Sequence, residues 1–159
     1  HMLNTIIEGE VLEFGMGWHG TPIMHLLCGI QGRNLLSVDT DKNWFDKFKD
    51  YRAPWHQLQL SEQEPIFKGQ HSMFDKHYAI AFVDAASAQI RQPVIERIKD
   101  VADYVIVHDS ECTFQGRKNA YAYDFSMYKH VLHFRPMNPA TSVLSNLDEI
   151  PTEVTRIFE

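Results

Sequence analysis

The sequence predicts an α/β fold in which a doubly wound, mostly parallel sheet ends in an antiparallel C-terminal hairpin. Two observations predict it. Short buried-strand patterns alternate with helical patterns along most of the chain, and strands joined by helical crossovers favour parallel pairing. Near the C terminus, a short connection with Pro136 and Pro139 favours an antiparallel pair. The 159 residues suffice for one domain, expected over 3–159, with a sizeable core.

Seven segments have strand character. The predicted strands cover 11–14, 34–39, 55–60, 78–83, 104–107, 129–134 and 141–147. The first five are joined by crossovers, and the last two form the hairpin. The third alternates apolar and polar residues, which is typical of a strand at a sheet edge.

Three helices are predicted between the strands. The first opens with Thr21 as its N-cap and ends before Gly32, with apolar residues at helical spacing at Ile23, Leu26, Leu27 and Ile30. The second covers 41–51 and places Trp44, Phe45 and Phe48 on one side. The third has Pro93 in its first turn and buries Val94, Ile95, Ile98 and Val101. We expect a loop with one helical turn over 61–77 and a functional loop over 110–128.

The composition excludes several classes of protein. The net charge of -6 and the lack of a Lys/Arg cluster argue against duplex nucleic acid as a partner. No apolar run reaches the roughly 20 residues that a membrane span needs, and no signal peptide is recognised. Cys28 and Cys112 fit neither zinc spacing nor a disulfide framework, so we expect a cytoplasmic protein with reduced thiols. His1 and Met2 are interpreted as the remainder of a cloning tag.

The segment VLEFGMGWHGTP, at the turn from the first strand into the first helix, is the most informative in the chain. Gly15, Gly17 and Gly20 allow a tight turn there and let a ligand approach the backbone. Asp39 follows Gly17 by 22 residues, and an acidic residue at that distance can accept hydrogen bonds from ribose hydroxyls. Together they indicate an adenosine-containing ligand. Alternatively, the glycines serve only the turn and Asp39 caps a helix, although Asp41 is better placed for capping.

VLEFGMG followed by SVDTD resembles the first two motifs of class I S-adenosylmethionine-dependent methyltransferases. AIAFVDAA, ADYVIVHDSE and HFRPMNPATSVLSN resemble their fourth strand, fifth strand and closing hairpin. The resemblance implies a Rossmann-like methyltransferase sheet, S-adenosylmethionine as cofactor and S-adenosylhomocysteine as product. The residues that it assigns to the cofactor are Glu13, Gly15, Met16, Gly17, Asp39, Thr40 and Asp84. His19 departs from the family, which commonly has a third glycine at that position.

Polar side chains at the ends of the fourth and fifth strands are candidates for catalysis, because ligands of such sheets bind at the carboxyl ends of strands. Asp84, His108 and Asp109 are assigned this role, with Glu111 just beyond. His108 or Asp109 could take a proton from the acceptor, although a structural role for His108 stays open. We expect Asp84 and Asp109 to lie close together on adjacent strands.

A divalent metal is the alternative use of these carboxylates. Catechol-type methyltransferases have acidic ligands after the fourth and fifth strands, and an Asn follows the second ligand. This chain has Ser110 at the position of that Asn, so no metal ligands are assigned, although magnesium stays possible.

Other polar and aromatic residues could shape a substrate site or simply pack. Arg91 could hold an anionic group or form a surface ion pair. The aromatic side chains of the loop 110–128 form either one wall of a substrate site or a small core. They are Phe114, Tyr121, Tyr123 and Tyr128. Trp18 covers the cofactor or packs, and His25 is expected to be structural.

The preferred function is oxygen methylation of a small molecule or sugar. The sequence shows no substrate-covering cap, so selection would come from the loops 61–77 and 110–128, from a second copy of the chain, or from a partner subunit. A cofactor-binding module or regulatory subunit without catalysis is the alternative. A nicotinamide dinucleotide enzyme is a third interpretation, and Glu13 before the glycines argues against it.

Overall fold

A mixed sheet of seven strands forms the centre of the computed structural model, which describes residues 8–116, 119, 121–136, 138–147 and 149–151. The strands are β1 Val11–Phe14, β2 Leu35–Asp39, β3 His56–Leu60, β4 Tyr78–Val83, β5 Ala102–His108, β6 His130–Phe134 and β7 Thr141–Ser145. Their spatial order is β3-β2-β1-β4-β5-β7-β6. The first five strands pair in parallel, and β7 lies antiparallel between β5 and β6. This arrangement confirms the predicted fold class and the edge position of β3.

Helices cover both faces of the sheet. They are α1 Gly20–Gln31, α2 Lys42–Phe48, α3 Gln63–Phe67, α4 Ala88–Ile98 and α5 Glu111–Phe114, with 3-10 turns at Lys49–Tyr51 and Ser72–Asp75. Met24 and Cys28 of α1 pack on Val11 and Leu35 at one face of the sheet. The apolar side of α4 packs on the opposite face, within the cluster that contains Leu12, Phe14, Val94, Ile95 and Ile98. Residues 61–77 thus contain two short helical segments rather than one turn.

The first helix differs from its prediction in two respects. Thr21 is not the N-cap, because the helix begins at Gly20 and Thr21 lies buried in its first turn. Ile23, Leu26 and Ile30 do not face the sheet but are 57%, 60% and 73% exposed. The helix carries no charged residue, so its pattern offered no polar face from which its inward side could be recognised.

The fourth helix begins five residues before Pro93, so the expectation that Pro93 lies in its first turn is wrong. An interior proline lacks the N–H that would bond the preceding turn, and this weakens the helix locally. Burial of Ile90, Val94, Ile95 and Ile98 against the sheet stabilises the helix despite that loss. The longer first part of the helix also carries Arg91 to the carboxyl edge of the sheet.

Among the described residues, no helix has both the length and the apolar character that crossing a bilayer requires. Cys28 and Cys112 are both buried and are not joined by a disulfide. His1 and Met2 lie outside the described residues.

Candidate functional site at the carboxyl edge of the sheet

The turn after β1 is in direct contact with the loop after β4. Gly15 has a φ of 96°, and a Cβ atom built on it would lie 2.3 Å from the backbone N of Ala85. The N–H of Asp84 donates to the carbonyl of Phe14 across 2.8 Å. Only glycine fits this position, since a side chain would be strained by the φ angle and would collide with the neighbouring backbone. A Cβ atom on Gly17 would have no other atom within 4 Å, so this part of the turn faces open space.

Asp39 joins the end of β2 to the same turn. Its Oδ2 accepts from the backbone N–H of Met16 at 2.8 Å, and its Oδ1 accepts from the N–H of Asp41 at 2.8 Å. Burial raises the pKa of Asp39, although these backbone donors oppose the shift. Each carboxylate oxygen has a second lone pair beyond these bonds. Asp41 caps α2 with its own carboxylate, which leaves Asp39 without a capping role.

Glu13 is fully buried behind the turn. Ser37 Oγ donates to its Oε2 at 2.5 Å, and Thr21 Oγ1 donates to its Oε1 at 2.8 Å. Thr21 Oγ1 in turn accepts from the N–H of Gly17 at 3.0 Å. Burial raises the pKa of Glu13 to about 8 despite these hydroxyl donors. The carboxyl group therefore supports the glycine turn through Thr21.

Two histidines extend this polar network beneath α1. His56 Nε2 lies 2.8 Å from Ser37 Oγ, and His56 Nδ1 lies 3.0 Å from His25 Nδ1. Burial lowers the pKa of His56 to about 4, so this ring is neutral at pH 7. Sequence analysis missed Ser37 and His56. Alternation does place Ser37, two residues before Asp39, on the same side of its strand, and that was the signal available.

A second cluster lies at the ends of β4 and β5, which are adjacent and parallel as expected. One ligand atom from each of Asp84, His108 and Asp109 lies within 4.8 Å of the other two. His108 Nε2 is 3.5 Å from Asp109 Oδ1, and His108 Nδ1 is 3.2 Å from Thr141 Oγ1. Asp109 has a φ of 55°, a conformation that costs energy for most residues and is enriched at functional sites.

The electrostatics of Asp84 reflect this crowding. Burial raises its pKa, and the neighbouring carboxylate of Asp109 adds to the rise. Arg91 and His108 act in the opposite direction. The Arg91 guanidinium bonds both carboxylates and is only 3% exposed, so it is neither a surface ion pair nor free to hold a substrate anion.

The aromatic residues of the loop 110–128 differ in how deeply they are buried. Tyr123 and Tyr128 are buried, and Tyr128 donates to the carbonyl of Ile95 at 2.7 Å. Phe114 lies with its ring centroid 4.8 Å from that of His133. Tyr123 and Tyr128 therefore belong to the main hydrophobic core, whereas Phe114 is half-buried against His133. Tyr121 is only partly buried.

Three further residues that the sequence analysis named lie around the site. Trp18 packs on Phe48 with ring centroids 4.9 Å apart and on Trp44 at 6.4 Å, so its ring leans on α2. Glu111 Oε2 accepts from the N–H of Ala140 at 3.1 Å and therefore faces the hairpin connection. Thr40 is half-buried directly after Asp39.

Comparisons with known proteins bear on the fold. Neither a protein family model nor a curated protein matches the sequence. The O-methyltransferase TomG from Streptomyces achromogenes, solved with SAM, superimposes with a TM-score of 0.64 at 12% identity, covering 91% of this chain and 77% of that one. An RNA methyltransferase from Salinibacter ruber, solved with S-adenosyl-L-homocysteine, gives a TM-score of 0.57 at 11% identity over 94% and 90% of the two chains. The METTL16 methyltransferase domain gives a TM-score of 0.57 at 11% identity over 92% and 82%. The chain therefore has the fold of class I S-adenosylmethionine-dependent methyltransferases.

Proposed function

We propose that this protein is an S-adenosylmethionine-dependent methyltransferase that methylates an oxygen atom of a small molecule or sugar. One observation carries the proposal: the glycine turn and the cluster of Asp84, His108 and Asp109 meet at the same edge of the sheet. Gly15 touches the backbone of residues 84–85, so a ligand on the turn would lie beside the cluster. The fold, which is that of known methyltransferases, supports S-adenosylmethionine-dependent methyl transfer in general.

The residues of the turn fit such a cofactor. Gly17 faces open space, which would let the ligand approach the backbone as closely as a nucleoside-binding turn requires. The remaining lone pairs of Asp39 could accept hydrogen bonds from ribose hydroxyls. Gly15, Met16, Thr40 and Asp84 would complete the contact surface, with Glu13 holding the turn from behind through Thr21.

S-adenosylmethionine, when bound, supplies an electrophilic methyl group on a positively charged sulfur. The tasks left to the protein are to align the acceptor oxygen and to remove its proton. The 3.5 Å between His108 Nε2 and Asp109 Oδ1 is longer than an ordinary hydrogen bond, and the His108 side chain is 32% exposed, so Nε2 can accept a hydrogen bond from the hydroxyl group that is to be methylated. His108 would accept the proton, and Asp109 would stabilise the imidazolium that forms.

Charge supports the choice of acceptor class. The protein carries a net charge of -6, and the site itself holds two carboxylates. This negative charge repels the phosphodiester backbone of a nucleic acid, so a neutral hydroxyl compound fits better than RNA or DNA. The fold does not decide this question, because both an O-methyltransferase and an RNA methyltransferase share it.

Calorimetric titration with S-adenosylmethionine and S-adenosylhomocysteine tests the first part of the proposal, with NAD as the matched control ligand. We expect binding of both sulfur compounds and none of NAD. Absence of heat and of a thermal shift at millimolar ligand would refute the proposal, and tight NAD binding would replace it with a dehydrogenase. A panel of phenols, sugars and hydroxy acids, assayed with a methyl-labelled cofactor, then tests turnover. Binding without transfer to any acceptor would favour the non-catalytic module.

A further inference from the structure

The guanidinium of Arg91 lies between the ends of β4 and β5. Its Nη2 is 3.0 Å from Asp84 Oδ1, and its Nη1 is 3.1 Å from Asp109 Oδ2. Its Nε donates to the carbonyl of Ala85 at 2.6 Å, and Nη1 donates to the carbonyl of His108 at 3.1 Å. A guanidinium has N–H donors in a rigid planar fork, and Arg91 uses them to bond residues at the ends of both β4 and β5.

The same guanidinium reaches the loop that follows α5. Its Nη1 lies 3.4 Å from the hydroxyl of Tyr123, and its Cζ lies 5.4 Å from the centroid of the Tyr121 ring. The Arg91 side chain is only 3% exposed, whereas Asp84 and Asp109 are 28% and 25% exposed, so the ion pairs are partly shielded from screening by salt. Arg91 therefore joins three segments that border the cluster: the loop after β4, the end of β5 and the aromatic loop.

Catechol-type methyltransferases hold a divalent metal ion between two such carboxylates. Whether the cluster of Asp84, His108 and Asp109 fits such an ion depends on which of its ligand atoms are free. One oxygen of Asp84 and one of Asp109 are already bonded to Arg91. Ser110 is fully buried, and its Oγ accepts from Ser142 Oγ at 2.7 Å and lies 3.4 Å from the carbonyl of Ala140, so it faces away from the cluster. A divalent ion at the cluster would also add two positive charges beside a buried guanidinium, which is electrostatically unfavourable. These residues do not fit a resident divalent metal.

We propose that Arg91 is a positioning residue that takes the place of a divalent cation, holding Asp84 and Asp109 in one geometry beside His108. The guanidinium balances one of the two negative charges, so the pair keeps a net charge of -1 when both carboxylates are ionised. That remaining charge can stabilise a proton on His108. The catalytic part of this inference rests on the proposed function, whereas the cation part rests on the contacts alone.

The test replaces Arg91 and asks whether the carboxylates then accept a metal ion. Arg91→Met removes the guanidinium and its charge while keeping an unbranched side chain, so Asp84 and Asp109 lose their partner. We expect millimolar MgCl₂ or MnCl₂ to raise the melting temperature of Arg91→Met by several degrees and to leave the wild type unchanged. Adding Asp84→Asn to the variant should abolish the response. Arg97→Met is the matched control, because Arg97 lies on the same helix and bonds only the carbonyls of Pro93 and Phe67 among its described contacts.

The outcomes separate the two proposals. An Asp84-dependent shift of the wild type by either metal ion would overturn the inference, as would an unresponsive but folded Arg91→Met. If Arg91→Met does not fold, Arg91→Gln removes the charge but keeps N–H donors for the neighbouring carbonyls, and calcein-competition or isothermal titration with Mn²⁺ should show binding at least about tenfold tighter than wild type. Equal Mn²⁺ affinity of Arg91→Gln and wild type would again overturn it. Titration with S-adenosylmethionine, run in parallel, reports on the proposed function independently of these metal readouts.

Discussion

The carboxylate of Asp39 accepts a hydrogen bond from the backbone N–H of Met16 at 2.8 Å, which joins the end of β2 to the turn after β1. The same side chain thus shapes the glycine turn and, under the proposed function, would bind the ribose hydroxyls. The bond to Met16 also gives the buried carboxylate a backbone donor, which opposes the rise of its pKa on burial.

Replacing Asp39 by Ala should weaken S-adenosylmethionine binding by about 1–3 kcal/mol, because the ribose hydroxyls and the Met16 N–H would lose their acceptor. Calorimetric titration measures this loss directly. Asp46→Ala is the control, since Asp46 is an exposed acid that bonds only Lys42 among its described contacts. Equal affinity of Asp39→Ala and Asp46→Ala would remove Asp39 from the cofactor site.

The two glycines of the turn should respond differently to the same substitution. Gly15→Ala would place a methyl group 2.3 Å from the backbone N of Ala85 at a φ of 96°, so it should lower the melting temperature sharply or prevent folding. Gly17→Ala meets no atom within 4 Å and should fold like the wild type. If the cofactor lies against Gly17, this variant should still bind it at least about tenfold more weakly, because the added methyl group occupies the space of approach.

Circular dichroism melting and calorimetry on the same two preparations decide the matter. A stable Gly15→Ala variant would contradict the contact between the two loops. Unchanged cofactor affinity in Gly17→Ala would show that the open side of the turn is not where the ligand lies.

Much of the arrangement at the carboxyl edge of the sheet could be predicted from the sequence, because it depends on strand order. Alternating strand and helix patterns imply parallel neighbours, and parallel neighbours bring the residues at their carboxyl ends together. The same rule predicts that Asp84 and Asp109, which follow the paired ends of β4 and β5, lie close together. The turn after β1 was recognisable because the backbone there demands glycine.

The role of Arg91 could not be predicted, because it depends on where α4 begins. Pro93 suggested a later start, whereas the helix begins at Ala88 and carries Arg91 on its buried side. The hydroxyls of Ser37 and Thr21 were missed for a related reason. Small polar residues are common on protein surfaces, and only packing reveals that these two face a buried carboxyl group. The expected second copy or partner subunit stays a prediction.

Glu13 should make stability depend on pH near neutrality. Its pKa in the folded protein is about 8, against 4.5 for the free side chain, so the folded state holds a proton that the unfolded state has released. The resulting stabilisation is complete below about pH 4.5 and is lost as the pH rises through 8. His56, with its pKa lowered from 6.5 to about 4, opposes this trend only below pH 6.5. The free energy of unfolding should therefore fall by about 1–2 kcal/mol between pH 6.5 and 8.

Glu13→Gln tests this attribution, because glutamine imitates the protonated carboxyl group and can still bond Ser37 and Thr21. Urea unfolding of the variant should show no such decline over the same pH range. Glu62→Gln, at an exposed position, should keep the wild-type decline. A decline of equal size in Glu13→Gln would assign the effect to another group.

Asp109→Asn should abolish methyl transfer while leaving S-adenosylmethionine affinity nearly unchanged. Asparagine tolerates a φ of 55° at least as well as aspartate does, so the turn after β5 should keep its shape. The variant removes the negative charge that faces His108 Nε2 at 3.5 Å and that pairs with Arg91 Nη1, so a proton on His108 would lose its counter-charge. Loss of proton removal is expected to slow turnover at least about 100-fold.

Single-turnover assays on an identified acceptor measure this effect, and calorimetry measures the affinity for the cofactor. Asp103→Asn is the control, because Asp103 lies near the opposite end of β5 and bonds His77. Wild-type turnover by Asp109→Asn would show that Asp109 does not serve the reaction, whereas a parallel loss of cofactor affinity would assign it to binding instead.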